Sequence, residues 1–330
     1  MSRGCIQYAS LRVLLASLAF ALAPPSGVFA QELLKPVIAV PDASGNIYVA
    51  ECAGSRILKV AGDGTISTVA GNGVSDSSPD GALAADSSIK CPEGMAVADD
   101  GTLYFGESDQ IRSVGSDGRL KTLAMIRGQG LTLDRSGNLY IAAPHANRVY
   151  RMTSSGVVTV VAGTGKSGFS GDNGPAVVAQ LHNPADVALD RTGNLLISDG
   201  MNRRIRKVTP AGVITSIAGS GRNGIEGDGG PATEAAFYEV DSLAVNAAGD
   251  IYITDCNGSR LRVITGSANG MPIIDSVGSF LPGASGIRFD LAGNLLIANV
   301  NTHSLRKLTP AGAYQTVVIA AQPTNTSARP

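Results

Sequence analysis

Glycine-rich loops and scarce histidines hold most of the residues that could do chemistry. GTGKSG (163–168) and GSGRNG (219–224) both match G-x-G-x-x-G after an extended run. That pattern holds a pyrophosphate only when a helix opens at once and aims its N-terminus at the phosphates. Here a further loop and another extended run follow, so the nucleotide reading fails. GKS (165–167) imitates the end of a P-loop, but Val160 stands where the earlier glycine is required. GDNG (171–174) and GDGG (227–230) each bring one carboxylate, Asp172 and Asp228, whereas calcium takes about six to eight oxygens. A structural role accounts for these loops better. Pro175 and Pro231 sit where a first helical residue would, followed by AVVAQL and ATEAAF, so one or two helical turns are expected in each. Leu181 and Phe237, with Ile89 in a third loop, would pin those turns by apolar contact.

The elements that must position such residues are repeated. A hairpin recurs as PDASGNIYVAE (41–51), ADDGTLYFGE (98–107), LDRSGNLYIAA (133–143), LDRTGNLLISD (189–199), VNAAGDIYITD (245–255) and FDLAGNLLIAN (289–299). The marker glycines Gly45, Gly101, Gly137, Gly193, Gly249 and Gly293 are spaced by 56, 36, 56, 56 and 44 residues. An Asp or Asn opens the turn in the first copy and in four others, and the glycine supplies the positive φ of a short hairpin. Each copy holds four strand-like runs; in the fourth they are DVALD, NLLIS, RIRKV and VITSIAG. Four antiparallel strands repeated six times predict an all-β fold, a six-bladed β-propeller of four-stranded antiparallel blades. The longer units gain their extra residues between the last strand of one copy and the first of the next, at 71–90, 163–182 and 219–238.

Composition narrows the partners. The first thirty residues read as an export signal: Arg3 and Arg12, the apolar core VLLASLAFALA (13–23), and VFA before Gln31. A mature chain, 31–330, carries 24 basic and 27 acidic residues, a net charge of −3. That balance offers nucleic acid and anionic lipid no general attraction, and no membrane anchor is expected after cleavage. With no Trp and 5% aromatics, base-stacking platforms lack residues. A secreted or periplasmic location is expected, with the propeller over 31–320 and a disordered tail at 321–330.

With the pattern laid out, the chain resembles the NHL-repeat family of six-bladed propellers over about 36–320, the closest words being NPADVALDRTGNLLISDGMNRRIRKV (183–208). The resemblance implies that the first strand of each copy lines a central channel, and that the long loops share a face with the loops between second and third strands. Related propellers include zinc-dependent amidating lyases and metal-dependent lactonases. Such lactonases hold their metal with acids at the inner-strand starts, the first blade included, and PVIAV (36–40) brings none.

Several residues stand out within this frame. Asp186 replaces the glycine of Gly94, Gly130 and Gly286, and Arg288 stands where other copies have Val40, Ala96, Thr132, Ala188 and Ala244. A charge there must be paired or face channel water. The residues ending the second strands, Glu51, Glu107, Ala143, Asp199, Asp255 and Asn299, form a ring that could rim the channel mouth. Their other reading is a loop cap paired with an arginine five residues on (Arg56, Arg204, Arg260). His145 and His182 fall in loops of and after the third blade, where they could be neighbours; His303 lies across the channel. Cys52 and Cys91 are placed to staple the first two blades, leaving Cys256 over. No catalytic set, metal or cofactor is expected. The reading is an exported monomeric binding or scaffold module whose loop-rich face meets a protein, peptide or glycan. The alternative is a metal-dependent hydrolase or lyase of the gluconolactonase type.

Overall fold

The computed structural model describes residues 33–255, 259–266, 271–278 and 281–317; the expected leader (1–30), Cys256 and the expected tail (321–330) lie outside them. Six antiparallel sheets, each contiguous in sequence, stand around an axis. Their inner strands are Pro36–Pro41, Pro92–Val97, Gly130–Leu133, Pro184–Leu189, Val240–Val245 and Ala284–Phe289. Each inner strand touches the inner strands of both neighbours, and the sixth touches the first. The ring is a closed six-bladed β-propeller.

Period-2 alternation explains why the strands read as nearly continuous apolar runs. Leu195 and Ile197 of the fourth blade join the core shared with the third, while Leu196 between them joins the core shared with the fifth. Both faces of every blade are therefore buried, and six apolar clusters fill the six wedges. The fourth hairpin shows the turn mechanics. Asp190 Oδ1 accepts the N–H groups of Thr192 and Asn194, both at 2.9 Å, and Gly193 takes φ +81°, a region that penalises any Cβ.

Among the described residues no strand is exchanged between the first and last blades. Closure comes from side chains: Leu33, Val49 and Leu58 pack on Leu296 and Leu305. The Leu33 carbonyl also meets His303 Nδ1 at 3.2 Å. A Cys52–Cys91 disulfide, Cα–Cα 3.9 Å, joins the first two blades.

The three long connectors each keep one helical turn, as expected, but place edge pairing ahead of it. Gly174–Pro175 and Gly230–Pro231 are two-residue strands that pair with the outer strands of the following blades, at Val213–Ile214 and Ile273–Ile274. Each proline ends that strand, and a single 3-10 turn follows, Ala176–Val178 or Ala232–Glu234. The first connector does the same with a Leu83–Arg119 bridge and the turn Ala84–Asp86. Backbone pairing with the free sheet edge satisfies donors and acceptors of both segments, and it protects the edge. The anchoring residues behave as expected: Ile89, Leu181 and Phe237 are fully buried. The connectors start and finish on the face of the second-to-third-strand loops, but they do not crowd it. They run down the wedge, and Ala176 N–H reaches the carbonyl of Gly212 in the opposite turn at 2.8 Å.

Candidate functional site

Each long connector carries one aspartate that a buried arginine of the next blade captures. Arg206 donates Nε and Nη2 to Asp172 Oδ1 at 3.2 and 2.8 Å, and Nη1 to Asp199 Oδ2 at 3.2 Å. Arg262 donates Nε and Nη2 to Asp228 Oδ1 at 3.1 and 2.6 Å, and Arg112 repeats the pattern with Asp80 and Glu107. All three guanidinium side chains are fully buried. Asp172 and Asp228 thus fix their connectors to the blade. An arginine five residues on from the ring acid pairs with it in the first two blades, where Arg56 meets Glu51 and Arg112 meets Glu107. In the fourth, Arg206 takes Asp199, because Arg204 turns to the carbonyls of Asn202 and Ser220.

The ring acids do not rim the mouth. Glu51, Glu107, Asp199, Asp255 and Asn299 are all buried. Four of them accept a backbone N–H from the segment entering their own blade: Leu34 to Glu51, Lys90 to Glu107, His182 to Asp199 and Tyr238 to Asp255. His145 is exposed and His182 half-buried. Their loops meet through Asn183 N–H and Asn147 Oδ1 at 3.0 Å, and neither imidazole lines the cavity described next.

Asp186 and Arg288 meet across the channel. Arg288 Nη1 and Nη2 reach Asp186 Oδ2 and Oδ1 at 2.8 and 2.9 Å, a bidentate pair. Asp186 also accepts Ser242 Oγ–H at 2.6 Å and Leu243 N–H at 3.1 Å. Arg288 donates further to the carbonyls of Ile287 and Leu131 at 2.8 and 3.3 Å. One ion pair therefore ties blades three, four, five and six and plugs the channel. The pattern-breaking residues are a pair, and glycine at 130 is required beside it: a Cβ there would lie 2.5 Å from Asp186 Cα and Oδ1.

Above the plug lies a cavity of about 440 Å³, open on the face of the second-to-third-strand loops. All six blades contribute to it. Asp186 is on its floor and the Cys52–Cys91 pair is on its wall. Its acids are Glu93, Glu239 and Asp241, its cations Lys35 and Arg127, and its polar groups include Gln129, Asn183, Ser242 and Ser285. Burial, followed by the charges of Glu239 and Asp186, pushes the Asp241 carboxyl up to about 7, although Ser285 Oγ donates to it at 3.4 Å. Partial desolvation, then the nearby Arg127, lower the His145 imidazole. Among the described residues no three His, Cys, Asp or Glu side chains converge as metal ligands. The described residues therefore do not fit the metal expected for a lactonase-type propeller, and no chemistry is assigned through one.

Of the candidate binding residues named from the sequence, only Asp186 lines this cavity. Sequence reasoning missed Glu93, Gln129, Asp241 and Ser285, which occupy one aligned position of the inner strands, immediately before Gly94, Gly130, Ser242 and Gly286. Comparing that column across the copies would have found them. A bulge at this point in most blades breaks simple alternation and hides which residues face the axis.

The comparisons agree with this architecture. The family model of the teneurin NHL domain matches residues 130–226. Human Teneurin-1 is 27% identical over 308 residues, covering 79% of this chain and 11% of its own length. The chain spans about a tenth of the length of the curated relatives it matches. Among solved structures, virginiamycin B lyase from Staphylococcus aureus superposes with TM-score 0.59 at 15% identity, covering 90% of this chain and 89% of that one. A gluconolactonase from Xanthomonas campestris gives 0.55 at 13% identity, covering 90% and 89%. At such identities the superpositions speak for the fold alone. Six tandem hairpins of one design and the closed ring lead to one assignment, supported by the family match over 130–226: the chain is a six-bladed β-propeller similar to NHL-repeat proteins.

Proposed function

We propose that the protein is an exported binding module that takes a peptide, or an exposed segment of a protein, into the mouth cavity. The cavity itself carries this reading: it is concave, drawn from six blades, closed below by the Asp186–Arg288 pair, and lined by charges of both signs. Pockets with a few convergent polar groups on a rigid scaffold are where ligands dock. A peptide supplies ammonium, carboxylate and amide groups together, matching Glu239 and Asp241 on one side and Lys35 and Arg127 on others. Neutral glycans would leave those charges unused. Export is supported by the disulfide, which persists in oxidising compartments, and by the leader-like first thirty residues.

Panning a random-peptide display library against the purified protein tests the reading. Enriched peptides should bind the wild type and lose affinity for the Glu239→Gln, Asp241→Asn double variant. Peptides that bind both proteins equally, or enrichment of glycans alone on an array, would reject it. One observation favours a second reading, a hydrolase or lyase: a carboxyl held near pH 7 can give or take a proton under physiological conditions. Turnover on a lactone panel that vanishes in Asp241→Asn would establish that alternative; no turnover removes it.

A further inference from the structure

Strand register places one residue of every blade at the same depth in the mouth cavity. Val37, Glu93, Gln129, Ala185, Asp241 and Ser285 align as this tier, and all six line the cavity. In the closed ring blade two lies across from blade five, three from six and one from four. The tier is therefore laid out by diameters. Glu93 stands across from Asp241, Gln129 from Ser285, and Val37 from Ala185.

Two carboxylates on one diameter, two neutral acceptors on a second and two apolar groups on the third suit a small cation with diverging donors. A primary ammonium has three N–H donors and no acceptor. No aromatic residue lines the cavity, so the cage that selects a quaternary ammonium is missing. A guanidinium prefers both oxygens of one carboxylate in a planar fork. Asp186 gives Arg288 that arrangement on the floor, whereas Asp241 Oδ2 already accepts Ser285 Oγ–H at 3.4 Å. Burial, then the charges of Glu239, Asp186 and Glu93, disfavour the Asp241 anion, a cost that a bound cation relieves. Two residues nearer the mouth stand Lys35, Arg127 and Glu239. A ligand entering with its ammonium first leaves its carbonyl groups beside those two cations.

We propose that this tier is an ammonium subsite: a primary ammonium of the ligand seats on the channel axis between Glu93 and Asp241, with Gln129 and Ser285 accepting its remaining donors. The subsite rests on the peptide reading above and specifies which part of the peptide enters. An α-ammonium and a lysine ε-ammonium carry the same group, so entry is by the first residue or by a lysine side chain.

n-Butylammonium carries the group alone and is the first probe. Saturation-transfer NMR on the purified protein should show it binding saturably, and Glu93→Gln, with its melting unchanged, should weaken binding about tenfold or more. n-Butylguanidinium and tetramethylammonium should bind more weakly than n-butylammonium. Peptides enriched on the wild type are the second probe, each with free amines, with its α-amine acetylated, or with its lysines acetylated. A loss of about tenfold or more on capping the α-amine assigns that source, and the same loss on capping lysine assigns the other. Peptides that keep their affinity with every amine capped, yet lose it for the Glu239→Gln, Asp241→Asn variant, overturn the subsite and leave the peptide reading standing. No enriched peptide, with n-butylammonium binding that Glu93→Gln abolishes, overturns the peptide reading alone. A silent n-butylammonium, one indifferent to Glu93→Gln, or one matched by the other two cations overturns the subsite.

Discussion

Replacing Arg288 by alanine should destabilise the propeller far more than the loss of one inner-strand side chain suggests. Arg288 holds both oxygens of Asp186, whose side chain is 5% exposed. Removing one member of a buried pair costs about 3–5 kcal/mol, because the other charge is left without its partner. The figure here belongs at the lower end, about 3 kcal/mol, since Asp186 would keep Ser242 Oγ–H, Leu243 N–H and Val187 N–H as donors. Asp186→Ala should cost about as much, leaving a guanidinium with only carbonyls and the Ser242 hydroxyl as partners. The double variant removes both charges and should lose little beyond either single change, a coupling of at least about 2 kcal/mol. Denaturant unfolding of the four proteins, disulfide intact, measures the cycle. Additivity to within about 0.5 kcal/mol would refute the argument, because it would mean that the two charges are solvated separately in an open channel.

Further outcomes follow from the same structure. The Asp241 carboxyl, raised to about 7 on folding, takes up a proton between pH 4 and 7, so its burial cost is absent at low pH and grows as pH rises through about 7. Asp241→Asn should therefore stabilise the protein at pH 8 relative to pH 4, by as much as about 4 kcal/mol, and melting curves across that range check it. Phe237→Ala empties a fully buried site under the third connector and should cost about 3–5 kcal/mol in urea unfolding. Thiol titration of the denatured, unreduced mature chain should find one thiol, on Cys256; three would exclude the Cys52–Cys91 bridge. Replacing both bridged cysteines by serine should cost about 2–4 kcal/mol.

The fold was legible because its signal is local and repeated: a glycine at positive φ closes each hairpin, whatever the rest of the chain does. Asp186 and Arg288 were legible for a related reason, as charges in columns of Gly and Ala, although only the structure joins residues 102 positions apart. The connectors were read one step short. Pro175 and Pro231 announce a helix start, but edge pairing with the next blade, a contact across about forty residues, decided their geometry. Arg206 and Arg262 stayed hidden behind the nearer Arg204 and Arg260, and Arg112 was passed over although it lies five residues after Glu107. Their partners Asp80, Asp172 and Asp228 lie more than thirty residues upstream, a distance no local pattern spans.

The absence of tryptophan from the sequence allows the central claim, that the mouth cavity is the binding site, to be tested with one fluorophore. Ala53→Trp places it at the cavity wall and Leu291→Trp in an exposed turn of the sixth blade outside the cavity. Titration with a peptide selected on the wild type should shift or quench the Ala53→Trp emission with saturation and leave Leu291→Trp unchanged. A silent Ala53→Trp with a responding Leu291→Trp would place the ligand elsewhere and contradict the account.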